Sequence, residues 1–172
     1  MEHAIIAAFL FDLLVGDPRW APHPVRMIGW YGGRLETILR KLCRNERLAG
    51  YLCVLIMLLT VSALSLGVLY TAWLVDRSRV VFWITATAMI YWSIATHDLL
   101  KHAKEVLQAL QADDLAEART RVGRIVGRDT ANLDAAGVTR AAVESVAESI
   151  VDGITAPLFF AMLLGPVGAI LY

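Results

Sequence analysis

GYLCVLIMLLTVSALSLGVLYTAWLVDRSRVVFWITATAMIYWSIAT, residues 50–96, decides the fold. Lys and Arg drop out between Gly50 and Val75, and the run exceeds the roughly 20 residues that a helix needs to cross a bilayer, so it predicts a span with room for tilt. Val80 to Thr96 is a second apolar run, tied to the first through Asp76, Arg77, Ser78 and Arg79. Together they predict a transmembrane hairpin. Trp73, Trp83, Tyr91 and Trp92 fall near the expected interfaces, where an amphipathic ring is favoured.

Both flanks of the hairpin are basic. Arg34 to Arg47 precedes it and Lys- and Arg-bearing sequence follows from His97, so the positive-inside rule places residues 16–49 and 97–153 in the cytoplasm. The composition agrees with a membrane protein: 58% of the 172 residues are hydrophobic, against roughly 45–50% in soluble domains. Mean hydropathy is +0.58. The formal net charge of zero conceals this segregation and does not argue against local anion binding. Nothing here points to nucleic acid. Cys43 and Cys53 lack ligand or redox spacing and read as small buried hydrophobes.

Before the hairpin, residues 3–15 form an apolar helix interrupted only by Asp12, short for a full crossing and followed by no convincing signal-peptide cleavage site. Asp12 and Asp17 put two carboxylates at its exit. GDPRWAPHP, residues 16–24, cannot be regular helix with three prolines. Helix resumes by Arg26, with Pro24 in the first turn. His23, held between Pro22 and Pro24, is a candidate ligand or proton-transfer group, or simply a packed histidine. Gly29, Gly32 and Gly33 leave a smooth helix surface for close approach.

After the hairpin, residues 98–126 read as an amphipathic helical hairpin. Leu99, Leu100, Ala103, Val106, Leu107 and Leu110 mark one apolar face; Asp113 and Asp114 mark a turn with an N-cap; Leu115, Ala118, Val122, Ile125 and Val126 mark the next face. His97 and His102 are out of helical phase for a metal pair and read as structural. The fold class is therefore all-α: a polytopic integral membrane protein with a cytoplasmic amphipathic helical hairpin and spans near 3–15, 50–75, 80–96 and 154–172.

VGRDTANLDAAGVTRAAVESVAESIVDGITAPL, residues 126–158, carries the candidate chemistry. Gly127, Arg128, Asp129 and Thr130 form a polar turn that could hold a phosphate through backbone N–H groups and the Arg128 guanidinium. Asp134 is the expected N-cap of the next helix. On it Arg140, Glu144, Glu148 and Asp152 follow at i, i+4 on one face, with Val138, Ala142, Val146 and Ile150 on a packing face. Acids just before a hydrophobic segment need cationic partners such as Mg²⁺, arginine or an ammonium substrate. A solvated helix with an ordinary Arg140–Glu144 ion pair accounts for the same residues without chemistry. The last apolar segment, 154–172, carries Pro157, Gly165, Pro166 and Gly168 and has no polar anchor after Tyr172, so the chain is expected to be the N-terminal part of a single longer membrane domain.

DLLVGDPRWAPHPVRMIG, HAKEVLQAL and GRDTANLDAAGVTRAAVESVAESIVDGITAPLFF resemble, in order and spacing, the CobD/CbiB family of cobalamin biosynthesis proteins, across essentially the whole chain. The resemblance implies an integral membrane adenosylcobinamide-phosphate synthase of the cell inner membrane, its active face cytoplasmic. Such an enzyme joins aminopropanol or its phosphate to the propionate carboxyl of adenosylcobyric acid, with ATP and Mg²⁺. It also implies the lipid bilayer, the corrinoid and other cobalamin-assembly enzymes as partners. For that chemistry Glu144, Glu148 and His23 are the catalytic candidates; Arg26, Arg128, Asp129, Thr130 and Arg140 are the phosphate or carboxylate binders; Glu144, Glu148 and Asp152 are the Mg²⁺ ligands. No Walker-type loop locates the ATP. Ala147, Glu148 and Ser149 stand where the family usually has AEN, and a later NTLDSM-like motif is lacking. The competing class is a non-catalytic membrane regulator of the AmpE type, whose acidic stripe would make inter-helix salt bridges. A transporter fits less well, because the acids precede an apolar segment and do not lie within one.

Overall fold

The longest element is the one that the charge-free run predicts. In a computed structural model that describes residues 1–17 and 23–172, α3 runs Glu46–Val75, about 45 Å at 1.5 Å per residue. Asn45 starts it by accepting from the N–H groups of Arg47 (3.0 Å) and Leu48 (3.3 Å), which satisfies two of the donors a helix N-terminus leaves open. Leu55, Leu59, Leu64 and Leu66 stay more than half exposed along it, an apolar surface that suits lipid and not water.

The remaining helices are α1 (Glu2–Val15), α2 (Pro24–Leu42), α4 (Val80–Tyr91), α5 (Thr96–Gln111), α6 (Leu115–Val122), α7 (Ala135–Ile150) and α8 (Ala156–Leu171), with a π turn at Val151–Thr155 between the last two. The described residues contain no strand. By length and composition Glu46–Val75, Val80–Gln111 and Ala135–Leu171 could each cross a membrane. The all-α membrane class is thus borne out. Of the proline-rich stretch, residues 18–22 lie outside the described residues; His23 is the N-cap of α2 and Pro24 stands in its first turn.

The turn between α3 and α4 is built by Asp76, whose carboxylate accepts from the N–H groups of Ser78 (2.9 Å) and Val80 (3.1 Å). Arg79 takes the left-handed conformation (φ 65°) and lays its guanidinium 4.0 Å from the Trp73 ring centroid, a cation–π contact. The second leg ends earlier than the sequence reading has it. Helix α4 stops at Tyr91, residues 92–95 break, and α5 restarts at Thr96, so the leg is about 18 Å long before its backbone becomes irregular.

The final segment departs further. Gly165 leaves the helix with φ 69° and ψ −159°, and the chain after it folds back. Tyr172 stacks on Phe160 at 5.3 Å and its hydroxyl donates to Asp152 at 3.0 Å, whereas twenty residues of straight helix would separate them by about 30 Å. Residues 154–172 therefore form a tight helical reversal, not one straight crossing. Gly165 supplies a conformation that a side chain resists, and Pro166 cannot continue the preceding helix.

Helices α1, α4 and α8 close where Ala4, Ala8, Ala161 and Ala169 pack on Ile90 and Tyr91, and Leu69 of α3 joins Ala86 and Met89. Small side chains let helix backbones approach where no hydrophobic gain drives them together. A second cluster, Val106, Ala109, Ala118, Val122, Val138 and Ala141, unites α5, α6 and α7. The expected face of α6 is found. The face of α5 is rotated from expectation: Val106 and Ala109 are buried, while Leu100 and Leu107 are 56% and 52% exposed. On α7 likewise Val138 and Ala141 are buried, whereas Ile150 is exposed.

Candidate functional site

Asp134 caps α7 as its position suggests, accepting from Gly137 N–H at 2.7 Å. The loop before it folds back on the helix: Ser145 Oγ donates to the Ile125 carbonyl, and Arg128 pairs with Glu144 at 2.8 Å. Arg128 is thus the partner of Glu144, and among the described residues no Arg140–Glu144 pair forms. The ordinary i, i+4 ion pair fails because the returning loop brings a second guanidinium to the same carboxylate. Ala136, Thr139, Arg140, Val143 and Glu144 line a shallow depression beside it.

The polar turn is engaged locally. Asp129 accepts from Ala131 N–H at 2.9 Å, and Thr130 donates to the Arg119 carbonyl at 3.0 Å, while Arg119 Nε donates to the Leu133 carbonyl at 2.6 Å. These bonds fix the loop and leave Arg128 as its outward cation. Glu148 is exposed one turn beyond Glu144. Asp152 stands at the π turn, bonded to Tyr172. Arg26 is an exposed residue of α2.

No three His, Cys, Asp or Glu side chains gather closely enough for a metal among the described residues. Mg²⁺ commonly takes one or two carboxylates and completes its shell with water and substrate phosphates. Glu144 and Glu148 stand exposed at one-turn spacing, two carboxylates of that kind and not a protein cage.

A second constellation unites residues that the sequence reading leaves unconnected. Asp12, 1% exposed, accepts from Thr96 N–H at 2.6 Å, so the exit of α1 caps the start of α5 and meets the positive end of its dipole. Tyr91 donates its hydroxyl to the Gly16 carbonyl, and His97 Nδ1 lies 3.1 Å from the Leu13 carbonyl. Ala95 N–H donates to Gly153 O of the π turn at 3.0 Å. π turns inside helices are frequent at functional sites.

His23 joins the same region through Asp17, Nε2 to Oδ2 at 3.1 Å, with side chains 14% and 21% exposed. A carboxylate on one ring nitrogen orients the imidazole. Burial pushes the Asp17 carboxyl above its ordinary range; His23 opposes this, while the negative charges of Asp98 and Asp12 add to it. The signal in the sequence is the lone Asp12 in an apolar helix, costly at membrane depth without a partner. Its partner is 84 residues away, beyond what local spacing reveals.

Comparison with known proteins gives one answer along the chain. The family model described as CobD/CbiB protein matches residues 5–172. The cobalamin biosynthesis protein CobD of Leptospira interrogans is 40% identical over 100% of this chain and 54% of its own length. Those of Pelobacter propionicus and Geobacter metallireducens are 42% and 41% identical, covering 96% and 98% of this chain and 50% and 52% of theirs. The chain spans about half the length of the curated relatives it matches. No solved structure matches it. With the family model reaching from the first helix to the last residue, this chain belongs to the CobD/CbiB family of cobalamin biosynthesis proteins.

Proposed function

We propose that this chain carries part of the active site of an adenosylcobinamide-phosphate synthase, an ATP-dependent ligase of the inner membrane that works on its cytoplasmic face. The observation that carries the reading is the match, over the whole chain, to relatives named for cobalamin biosynthesis. The reaction joins the propionate carboxyl of adenosylcobyric acid to the amine of aminopropanol or its phosphate. A carboxylate does not acylate an amine unaided; transfer of a phosphoryl group from ATP to it gives an acyl phosphate, and the amine then expels phosphate.

Three tasks fall to this chain's residues. Arg128 and Arg140 steady phosphate or carboxylate oxygens, the first already ordered by Glu144. Glu144 and Glu148 would hold the Mg²⁺ that comes with the nucleotide, and its charge would offset that of the transferring phosphoryl group. His23, oriented by Asp17, takes the proton that the amine loses. Asp129 and Thr130 act through the loop they fix, and Arg26 lies one turn along α2 from His23. The corrinoid, the amine, the bilayer and other cobalamin-assembly enzymes are the partners of this reading.

Genetic complementation tests it. The full-length protein should restore cobalamin production from cobyric acid in a cell that cannot make cobinamide, and a His23→Ala variant expressed at the same level should not. Failure of the unaltered protein at confirmed membrane expression would remove the synthase assignment.

A further inference from the structure

The junction of α1, α5 and the π turn has acceptors with nothing to accept. Asp12 Oδ1, Asp17 Oδ1 and Thr96 Oγ1 are buried and have no hydrogen-bond partner among the described residues. Thr96 is 7% exposed and Asp12 only 1%; a buried carboxylate oxygen or hydroxyl left in that state is costly and calls for an explanation. Asp17 is tied to the same place through its neighbour Gly16, whose carbonyl accepts from the Tyr91 hydroxyl and which lies against the His97 ring. Thr96 N–H already sits on the other oxygen of Asp12, and the Asp12 charge is near enough to raise the Asp17 carboxyl.

The backbone around them leaves the regular helix. Tyr91 lies about 18 Å along α4 from the turn at 76–79, and there both the 92–95 break and the π turn interrupt their helices, held to each other by the Ala95–Gly153 bond. Inside an apolar layer, non-helical backbone persists where protein buries it or where it lines a polar cavity.

We propose that this junction binds a primary ammonium group, with Asp12 Oδ1, Asp17 Oδ1 and Thr96 Oγ1 as its three acceptors. An alkylammonium offers three N–H donors and one positive charge, which matches the acceptors in number and offsets the carboxylates. A divalent metal is the rival occupant for two carboxylates and a hydroxyl, and Mg²⁺ in the comparison below separates the two. A water molecule would supply two donors and no charge. The α5 N-terminus and His23 each engage one carboxylate at its other oxygen, which leaves one free oxygen on each. The ammonium site stands on this geometry; that its occupant is the amine to be acylated rests on the function proposed above.

The test uses the intact protein in lipid nanodiscs, titrated with ethanolamine, a primary ammonium, by calorimetry and by melting temperature. Choline carries the same charge without N–H donors, and K⁺ and Mg²⁺ complete the comparison. Ethanolamine should bind saturably and raise the melting temperature, and the other three should not. Thr96→Val keeps the backbone bond to Asp12 and deletes only the unpartnered hydroxyl. It should leave the ligand-free protein as stable or more so, yet weaken ethanolamine about tenfold, the loss expected for one hydrogen bond to a charged group. Asp12→Asn should abolish binding, and if that variant does not fold, Thr96→Val decides. Absent ethanolamine binding, equal binding of choline, K⁺ or Mg²⁺, or unaltered affinity in Thr96→Val would overturn the site. Amine binding without amide product would count against the synthase reading alone, whereas amide product with an unchanged KM for the amine in Thr96→Val would count against the site alone.

Discussion

Glu148 has no ion-pair partner among the described residues, in contrast to Glu144 with Arg128, and this separates what the two acids should do. Glu148→Gln should remove most synthase activity of the full-length protein and leave its melting temperature unchanged, because an exposed unpaired carboxylate contributes little to stability. Glu144→Gln should also lose activity, at a stability cost no greater than the roughly 0.2–1 kcal/mol of an exposed pair. Turnover measured beside detergent-solubilised melting checks both. Activity lost only in proportion to stability would make the stripe scaffold.

Asp17 gives a pH signature. Its folded-state carboxyl is raised above the ordinary 3.8, chiefly by burial, so the protonated form favours the folded state. The stability this group contributes is fully present below 3.8 and is lost as pH rises through the folded value. Across that window the unaltered protein should therefore lose melting temperature relative to Asp17→Asn, measured without ligand. A difference that moves the other way would mean that pairing with His23 outweighs the burial.

At the scale of elements, two glycines sit where a side chain has no room. Gly16 has φ +63°, and a Cβ there would stand 2.5 Å from the His97 ring; a Cβ on Gly168 would stand 2.4 Å from the Phe160 carbonyl oxygen. Either substitution by Ala should destabilise by about 1–3 kcal/mol, the usual range for overpacking. Gly33→Ala, where a Cβ meets nothing within 4 Å, should be neutral or slightly stabilising. Denaturation of the three variants side by side checks this.

The same elements mark what could be read from sequence. Helix α3, the turn at 76–79, the caps at Asp114 and Asp134 and the packing of Ala118 and Val122 follow from local patterns of charge, polarity and period, and the structure has them. The break after Tyr91, the π turn and the reversal at Gly165 are set by contacts between distant segments. Asp12 meets Thr96, Ala95 meets Gly153, and Tyr172 meets Asp152. Apolar residues continue through each of these places, so period alone carries a helix straight across them. For the same reason Arg128 reaching Glu144 was hidden by the nearer Arg140.

For the whole molecule, the proposed orientation puts the basic ends of α2 and α6 on the cytoplasmic side, following the positive-inside rule. A cysteine at Ser78 should label from the periplasmic side of intact cells, and one at Thr120 only after the membrane is breached. Reversed labelling would invert the assignment. Because the chain spans about half the length of its relatives, residues 1–172 alone should insert and yet form no amide. Product from that chain would place the complete site within it.

The most direct test is formation of the bond itself. Membranes carrying the full-length protein, supplied with adenosylcobyric acid, aminopropanol phosphate, ATP and Mg²⁺, should yield adenosylcobinamide phosphate by mass spectrometry, with ADP released in equal amount and no product when ATP is withheld. No product from membranes that contain folded protein, beside an active control synthase, would contradict the account.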